Sequence, residues 1–317
     1  DKIASIHKKN YRNISGVLYK DKLIDIEESI EKLLGVALDI GTTGISAYLI
    51  DINTGKTLNK KSSLNPQVEY GGDVLSRITY SINNPKGKDN LKKSIINKIN
   101  DIICELVKER EDIKKIYRVS ISANTVMLHM LLGVDTETIA KSPYRPTFLK
   151  SLNIKGRDMG IEVNREGIVT LLPSVSGYVG ADIISGAVAT GFNKKKHKAI
   201  FIDIGTNGEI LAISNSKIVG TSTAAGPAFE GMNISCGCRA EAGAIDTFKI
   251  ENGNIMFTTI DNKEPKGICG SGLIDIASEF IKNKIILKSG KLNNKLDGNL
   301  GNHIRDKKFY ITEDIYI

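Results

Sequence analysis

Short apolar runs alternate with glycine-bearing turns along this chain, and one such arrangement is written twice. The run Gly35 to Leu38 leads into Asp39-Ile40-Gly41-Thr42-Thr43-Gly44, and the run Ala199 to Ile202 leads into Asp203-Ile204-Gly205-Thr206-Asn207-Gly208. A second apolar strand leaves each turn, Ile45 to Ile50 in the first copy and Glu209 to Ile213 in the second. Each copy predicts a β-hairpin. Between them, Asn53-Thr54-Gly55 has the composition of a further hairpin turn. From Asp89 to Glu111 the apolar residues Leu91, Ile95, Ile96, Ile99, Ile102, Ile103, Leu106 and Val107 recur at helical spacing, which predicts an amphipathic helix. Tyr117 to Ser122 reads as a strand, and Asn124 to Leu132 as a helix stopped by Gly133. Strand Ile168 to Leu172 then leads to a helix from about Ala181 to Thr190, ended by Gly191. Thr312-Glu313-Asp314 predicts a further helix start. Hairpins followed by strand–helix units, twice over, argue for a duplicated α/β fold.

The repeated turns suit a phosphate. Glycines let the backbone approach an anion closely, amide N–H groups form a nest, and a threonine hydroxyl adds a donor. Asp39 and Asp203 cannot bind phosphate themselves but can hold hydrated Mg²⁺ beside one. The expected ligands are therefore ATP and Mg²⁺, with Gly41, Thr42 and Thr43 on one side and Gly205, Thr206 and Asn207 on the other. Two further stretches open helices with small residues: Ala224 to Gly231, containing Gly226, and Gly267 to Gly272, containing Gly270, Ser271 and Gly272. A helix N-terminus attracts an anion, though small residues there serve close helix packing equally well. Asp73 and Asp182, acids beside glycines at element junctions, are candidates to orient or deprotonate the attacking water, with helix capping as the alternative. Gly55-Lys56-Thr57 imitates the end of a P-loop but sits in a hairpin without the upstream glycine, and is set aside.

Composition narrows the class. The 317 residues are 41% hydrophobic, enough to bury the cores of two lobes, and no apolar run approaches the ~18 residues of a membrane span. A net charge of +8 arises from lysine runs such as Lys194-Lys195-Lys196-His197-Lys198. With 6% aromatic residues and no tryptophan, stacking platforms for nucleic acid are not expected, and the lysines read as solvated loop faces. Four cysteines, Cys104, Cys236, Cys238 and Cys269, are too few and scattered for a disulfide framework and lack cluster spacing, which fits a reducing cytosol. His129, on an apolar helix, reads as a packed or hydrogen-bonded core residue. Residues 1–34 read as a linker or the remnant of an upstream region, with a small hairpin around Gly16 to Asp25. Residues 35–198 form a first lobe, and 199–317 a second lobe incomplete at its C-terminus.

In its paired acid-and-glycine turns the chain resembles the actin, sugar-kinase and heat-shock-chaperone ATPase superfamily (ASKHA). It is similar, more closely, to the ATPase domain of reductive activators of corrinoid proteins. Asn65-Pro66-Gln67, Tyr70-Gly71-Gly72-Asp73-Val74 through Arg77, Ala123-Asn124-Thr125 with Met127-Leu128-His129, and Gly177 to Asp182 carry the likeness. Ser222 to Gly231, Asn233 to Gly237 and Gly267 to Asp275 extend it. The resemblance implies a duplicated ribonuclease-H-like (actin-like ATPase) fold with two lobes around a nucleotide cleft. It also implies a cytoplasmic, dimeric ATPase that helps return Co(II) corrinoid methyl-transfer proteins to Co(I). The electron comes in that family from an Fe–S cluster in a ferredoxin-like domain, whose cluster cysteines this chain lacks. The family's glycine-rich adenosine segment is likewise not recognised in it, and position 238 is Cys where Met is commoner. A small-molecule kinase of the same fold and a silent scaffold are the competing readings.

Overall fold

The first hairpin pairs β1 (Ser15–Tyr19) with β2 (Lys22–Glu27). The computed structural model describes residues 14–27, 32–205, 207–224, 234–238, 240–293 and 295–317. Two tyrosines tie the hairpin to the larger sheet: the Tyr117 hydroxyl donates to Asp25 at 2.9 Å, and Tyr19 donates to Asn153 at 2.8 Å.

The chain then forms β3 (Leu34–Ile40), β4 (Gly44–Asp51) and β5 (Thr57–Leu64), an antiparallel meander. Helices α1 (Val74–Asn83) and α2 (Gly87–Leu106) follow, then β6 (Ile116–Ala123), α3 (Thr125–Leu132), β7 (Leu152–Lys155), β8 (Ile168–Leu171) and α4 (Ala181–Ala189). The sheet order is β5-β4-β3-β6-β8-β7, with β6 parallel to both β3 and β8. Three antiparallel strands continued by two parallel ones is the order of the ribonuclease-H-like fold that the resemblance implies. α2 forms because its buried set, Leu91, Ile95, Ile96, Ile99, Ile102, Ile103 and Leu106, returns to one face at helical spacing. Burying each such side chain contributes about 1.5–3 kcal/mol, which outweighs the helix's lysine-rich remainder. α3 is only eight residues and almost wholly buried, so packing rather than propensity sustains it. Its ends match the expectation: Asn124 caps the start and Gly133, at φ 71°, closes it in the left-handed region.

After α4 come β9 (Ala199–Ile204), β10 (Asn207–Ser214) and β11 (Lys217–Ala224), a sheet of order β11-β10-β9. Next are β12 (Ala244–Glu251), β13 (Asn254–Thr259), β14 (Gly267–Ile268) and α5 (Gly270–Lys282). β12 pairs with β13 along its length but with β14 only at Ala244 and Ile245. Beyond that point the open rim of β12 is met by α5. The Phe248 N–H donates to Asp275 at 3.2 Å and the Ile250 N–H to Glu279 at 3.1 Å. Two residues of strand rise about 6.8 Å and four of helix about 6 Å, so acids one turn apart match alternate strand amides.

Chain contacts divide the molecule into two units, Asp1–Phe201 with Glu209–Ser222, and Ile202–Gly208 with Thr223–Ile317. The first holds the large core between the six-stranded sheet and α1 to α3. The second centres on Ile245, Phe248, Ile276, Phe280 and Phe309. One expectation fails in the second unit. Thr312 to Asp314 begins no helix; the Thr312 hydroxyl accepts the Ile315 N–H at 3.1 Å, and the chain doubles back so that Ile317 and Phe309 exchange backbone bonds. A hydroxyl followed by acids caps a turn here because the apolar Ile311 and Ile315 are drawn into the core.

Candidate functional site

The first repeated turn leaves β3 at Gly41. A Cβ there would stand 2.9 Å from the Gly44 carbonyl oxygen, which accepts the Gly41 N–H at 2.8 Å, so closeness demands glycine at this corner. Thr42 and Thr43 are buried. Three side chains from three segments grip the turn. Asn65 Nδ2 donates to the Gly41 carbonyl at 2.8 Å, and its backbone N–H donates to the Thr43 carbonyl at 2.9 Å. Arg77 Nη2 donates to the Thr42 carbonyl at 2.5 Å. Asn124 Nδ2 donates to the Thr42 hydroxyl at 3.2 Å while its Oδ1 accepts the Met127 N–H. All three carbonyls of the turn therefore point into the protein.

Arg77 is completely buried, and its other nitrogens reach the Gly71 carbonyl at 2.8 Å and Met127 Sδ at 3.3 Å. Burial pulls its pKa down to about 10, opposed by the Asp73 charge one helical turn away, so it stays charged at neutral pH.

Two helices begin beside this turn. Asn124 caps α3, and Gly180, which precedes α4, lies so close that a Cβ would sit 2.5 Å from Asn124 Cα. Their positive ends suit an anion. The acids lie on the α4 side of the sheet. Asp39 is level with Ser122 in the parallel register, and the Ser122 and Ser185 hydroxyls meet at 3.3 Å. Asp182 stands one turn before Ser185 in α4, its Oδ1 accepting the Ile183 N–H at 2.9 Å. Asp39 and Asp182 thus share one side of the sheet beside the Gly41–Thr43 turn, where carboxylate oxygens fit a hard, hydrated cation such as Mg²⁺. Asp73 is placed differently. It caps α1 in a reciprocal capping box with Ser76, its Oδ1 accepting the Ser76 N–H at 2.8 Å.

In the second copy the Gly205 N–H donates to the Asn207 carbonyl at 3.0 Å. Asp203 is half-buried at the end of β9. Thr206 and Gly226 lie outside the described residues. At the start of α5, Gly270 is buried and Ser271 exposed, its hydroxyl 3.3 Å from Cys269 Sγ. Gly272 has a packing duty: a Cβ would stand 2.2 Å from the Ile245 carbonyl oxygen of β12. The cysteines are free thiols, Cys269 donating to the Ile245 carbonyl, and burial beside Cys269 and Glu241 pushes the Cys238 thiol up. Among the described residues no group of three or more His, Cys, Asp and Glu side chains is placed to hold a metal ion.

Asn65, Arg77 and Asn124 stand out in the sequence only through resemblance. Their work, donating to carbonyls of a distant turn, is a tertiary contact that no local pattern announces. The available hint is chemical: Asn65 before Pro66 and Asn124 before Thr125 have the form of caps.

Comparison with known proteins agrees with this fold. A family profile described as the RACo middle region matches residues 34–195, and one described as the C-terminal domain of RACo, the ASKHA domain, matches residues 197–314. The corrinoid activation enzyme RamQ of Eubacterium limosum is 35% identical over 284 residues, covering 88% of this chain and 48% of RamQ. The reductase of the Co(II) methylated amine-specific corrinoid protein of Methanosarcina barkeri is 26% identical over 294 residues, covering 83% of this chain and 53% of its own. The solved structure of a reductive activator for corrinoid, iron-sulfur protein superposes with a TM-score of 0.90 at 34% identity, covering 100% of this chain and 54% of that one. The chain spans about half the length of these relatives.

Proposed function

This chain belongs to the RACo family, and from that premise we propose that it is the ATP-binding and ATP-hydrolysing part of a reductive activator. Its target is a corrinoid methyl-transfer or corrinoid iron-sulfur protein, returned from Co(II) to Co(I), and the activator works in the cytoplasm as a homodimer. The observation that carries the reading is the inward grip on Gly41, Thr42 and Thr43, which turns the amide side of that corner outward. No described helix is long and apolar enough to cross a membrane.

In this reading the turn at Gly41–Thr43 receives nucleotide phosphates, and Gly205, Thr206 and Asn207 of the second copy have the same kind of role. Asp39 and, in the second copy, Asp203 are the acids that would hold Mg²⁺, which would offset phosphate charge, and Asp182 would orient the attacking water. Asp73 acts through its cap. Gly270, Ser271 and Gly272 serve the nucleoside edge, a role also assigned to Gly226 from its sequence. An Fe–S cluster in a ferredoxin-like domain would supply the electron; the residues here bind, orient and release the nucleotide.

Hydrolysis of Mg·ATP by the native protein is expected to rise when Co(II) corrinoid protein is added. Asp39→Asn and Asp203→Asn should each lower turnover more than ~100-fold with the fold retained. Phosphate appearing on a sugar, with no response to the corrinoid protein, would replace this reading by the kinase one. Unchanged turnover in both variants would leave a scaffold.

A further inference from the structure

The grip on the first turn contains a feature that phosphate binding alone does not require. Its central member is a fully buried cation, and among the described ion pairs no carboxylate bridges Arg77. Burying a charge without such a partner is unfavourable unless its donors are satisfied and the charge serves something nearby. The donors are satisfied, by the Gly71 and Thr42 carbonyls and Met127 Sδ, which come from three separate segments. A rigid planar fork can reach three such acceptors at once; the single ammonium of lysine cannot.

The geometry has a direct consequence for the amides. In a planar trans peptide the carbonyl of one residue and the N–H of the next point in opposite directions. With the Gly41, Thr42 and Thr43 carbonyls drawn inward, the N–H groups of Thr42, Thr43 and Gly44 face the other way. Arg77 fixes the middle peptide of the three, and its charge lies directly behind that peptide. A positive charge in a site shielded from water attracts an anion on the far side more strongly than it would across solvent.

We propose that Arg77 is a positioning residue for the triphosphate: it holds the Thr42–Thr43 peptide carbonyl-inward and amide-outward, and supplies a fixed positive charge behind the turn. This rests on the reading above that the turn receives nucleotide phosphates. Arg77 touches no phosphate itself and acts through Thr42 and Thr43. Asn65 performs the same orienting work on the flanking peptides without charge.

The test compares Mg·ATP affinity and thermal midpoint in the protein as expressed from its own gene. Arg77→Met keeps the bulk and removes fork and charge; Arg77→Lys keeps the charge and loses the fork. Ile103→Ala, in the core near the C-terminal end of α2, supplies destabilisation without touching the turn. Arg77→Met is expected to weaken Mg·ATP binding at least tenfold and Arg77→Lys about threefold, while Ile103→Ala stays within twofold of wild type. If Arg77→Met does not fold, Arg77→Lys against Ile103→Ala decides by the same comparison. Binding within twofold of wild type in the folded Arg77 variants overturns the proposal. An equal loss in Ile103→Ala also overturns it, since the effect would then be general loosening. A wild type that binds no Mg·ATP would instead refute the reading of function, and this one with it.

Discussion

A single ring in the first unit shows how burial and hydrogen bonding select a protonation state. His129 is fully buried, stacked on Phe148 with ring centroids 4.3 Å apart. Its Nε2 lies 3.0 Å from the Thr147 N–H, which can only donate, so Nε2 is the acceptor and Nδ1 carries the proton given to the Thr125 carbonyl at 2.7 Å. Burial lowers the pKa of the ring from its ordinary value, with the Thr125 carbonyl opposing. A depressed folded value means the unfolded chain takes up the proton first. The stabilisation is complete above about pH 6.5 and is lost as pH falls toward the folded value. Chemical-denaturant midpoints should therefore drop between pH 7.5 and 5, with a shallower slope in His129→Gln. Identical slopes would place the titrating group elsewhere. The sequence identifies His129 as a core residue from its apolar helix; the Thr147 contact that sets its tautomer comes from a loop no local pattern places.

At the scale of elements, the strands and helices with clean periodicity were legible: β3, β4, β6, α2, α3 and α4 lie within a residue or a few of where the pattern put them. α1 was not, because its apolar spacing is poor and its clearest signal, Asp73 with Ser76 three residues on, looks as much like chemistry as like a cap. β12 and β13 were also missed, since a short hairpin beyond the second repeat leaves little to distinguish it from a loop. Gly272 shows why helix propensity and packing can disagree. In a helix interior, alanine is favoured over glycine by about 1 kcal/mol. At this position the added Cβ would fall 2.2 Å from the Ile245 carbonyl oxygen. Gly272→Ala is expected to destabilise the second unit by about 2–4 kcal/mol, read from its unfolding midpoint. A neutral or stabilising result would show that α5 can slide away from β12. α5 is held in place by more than this contact. Burial works to raise the Glu279 pKa, but the hydrogen bond from Lys282 and the Ile250 N–H outweigh it and hold the carboxyl below its ordinary value.

For the whole molecule, the written repeat becomes two hairpins set in unequal surroundings. Val36, Leu38 and Ile40 on β3 are 2%, 2% and 1% exposed, under α2 and α3. The residues in step with them on β9, Ile200, Ile202 and Ile204, are 67%, 56% and 67% exposed. Among the described strands, β9 has a neighbour on one side only. An apolar face of this kind binds apolar probes. This 317-residue chain is expected to bind a fluorescent apolar dye, and Ile202→Lys to reduce that binding at least twofold; equal binding would mean another surface takes the dye. The duplication was legible because it is carried by residue types. The asymmetry of burial was not, because it depends on which elements cover each copy.

The pairing of Asp275 and Glu279 with alternate amides of β12 has a colloidal consequence. A rim occupied by carboxylates offers no template on which a foreign ribbon could register, so the strand is shielded from recruitment into fibrils.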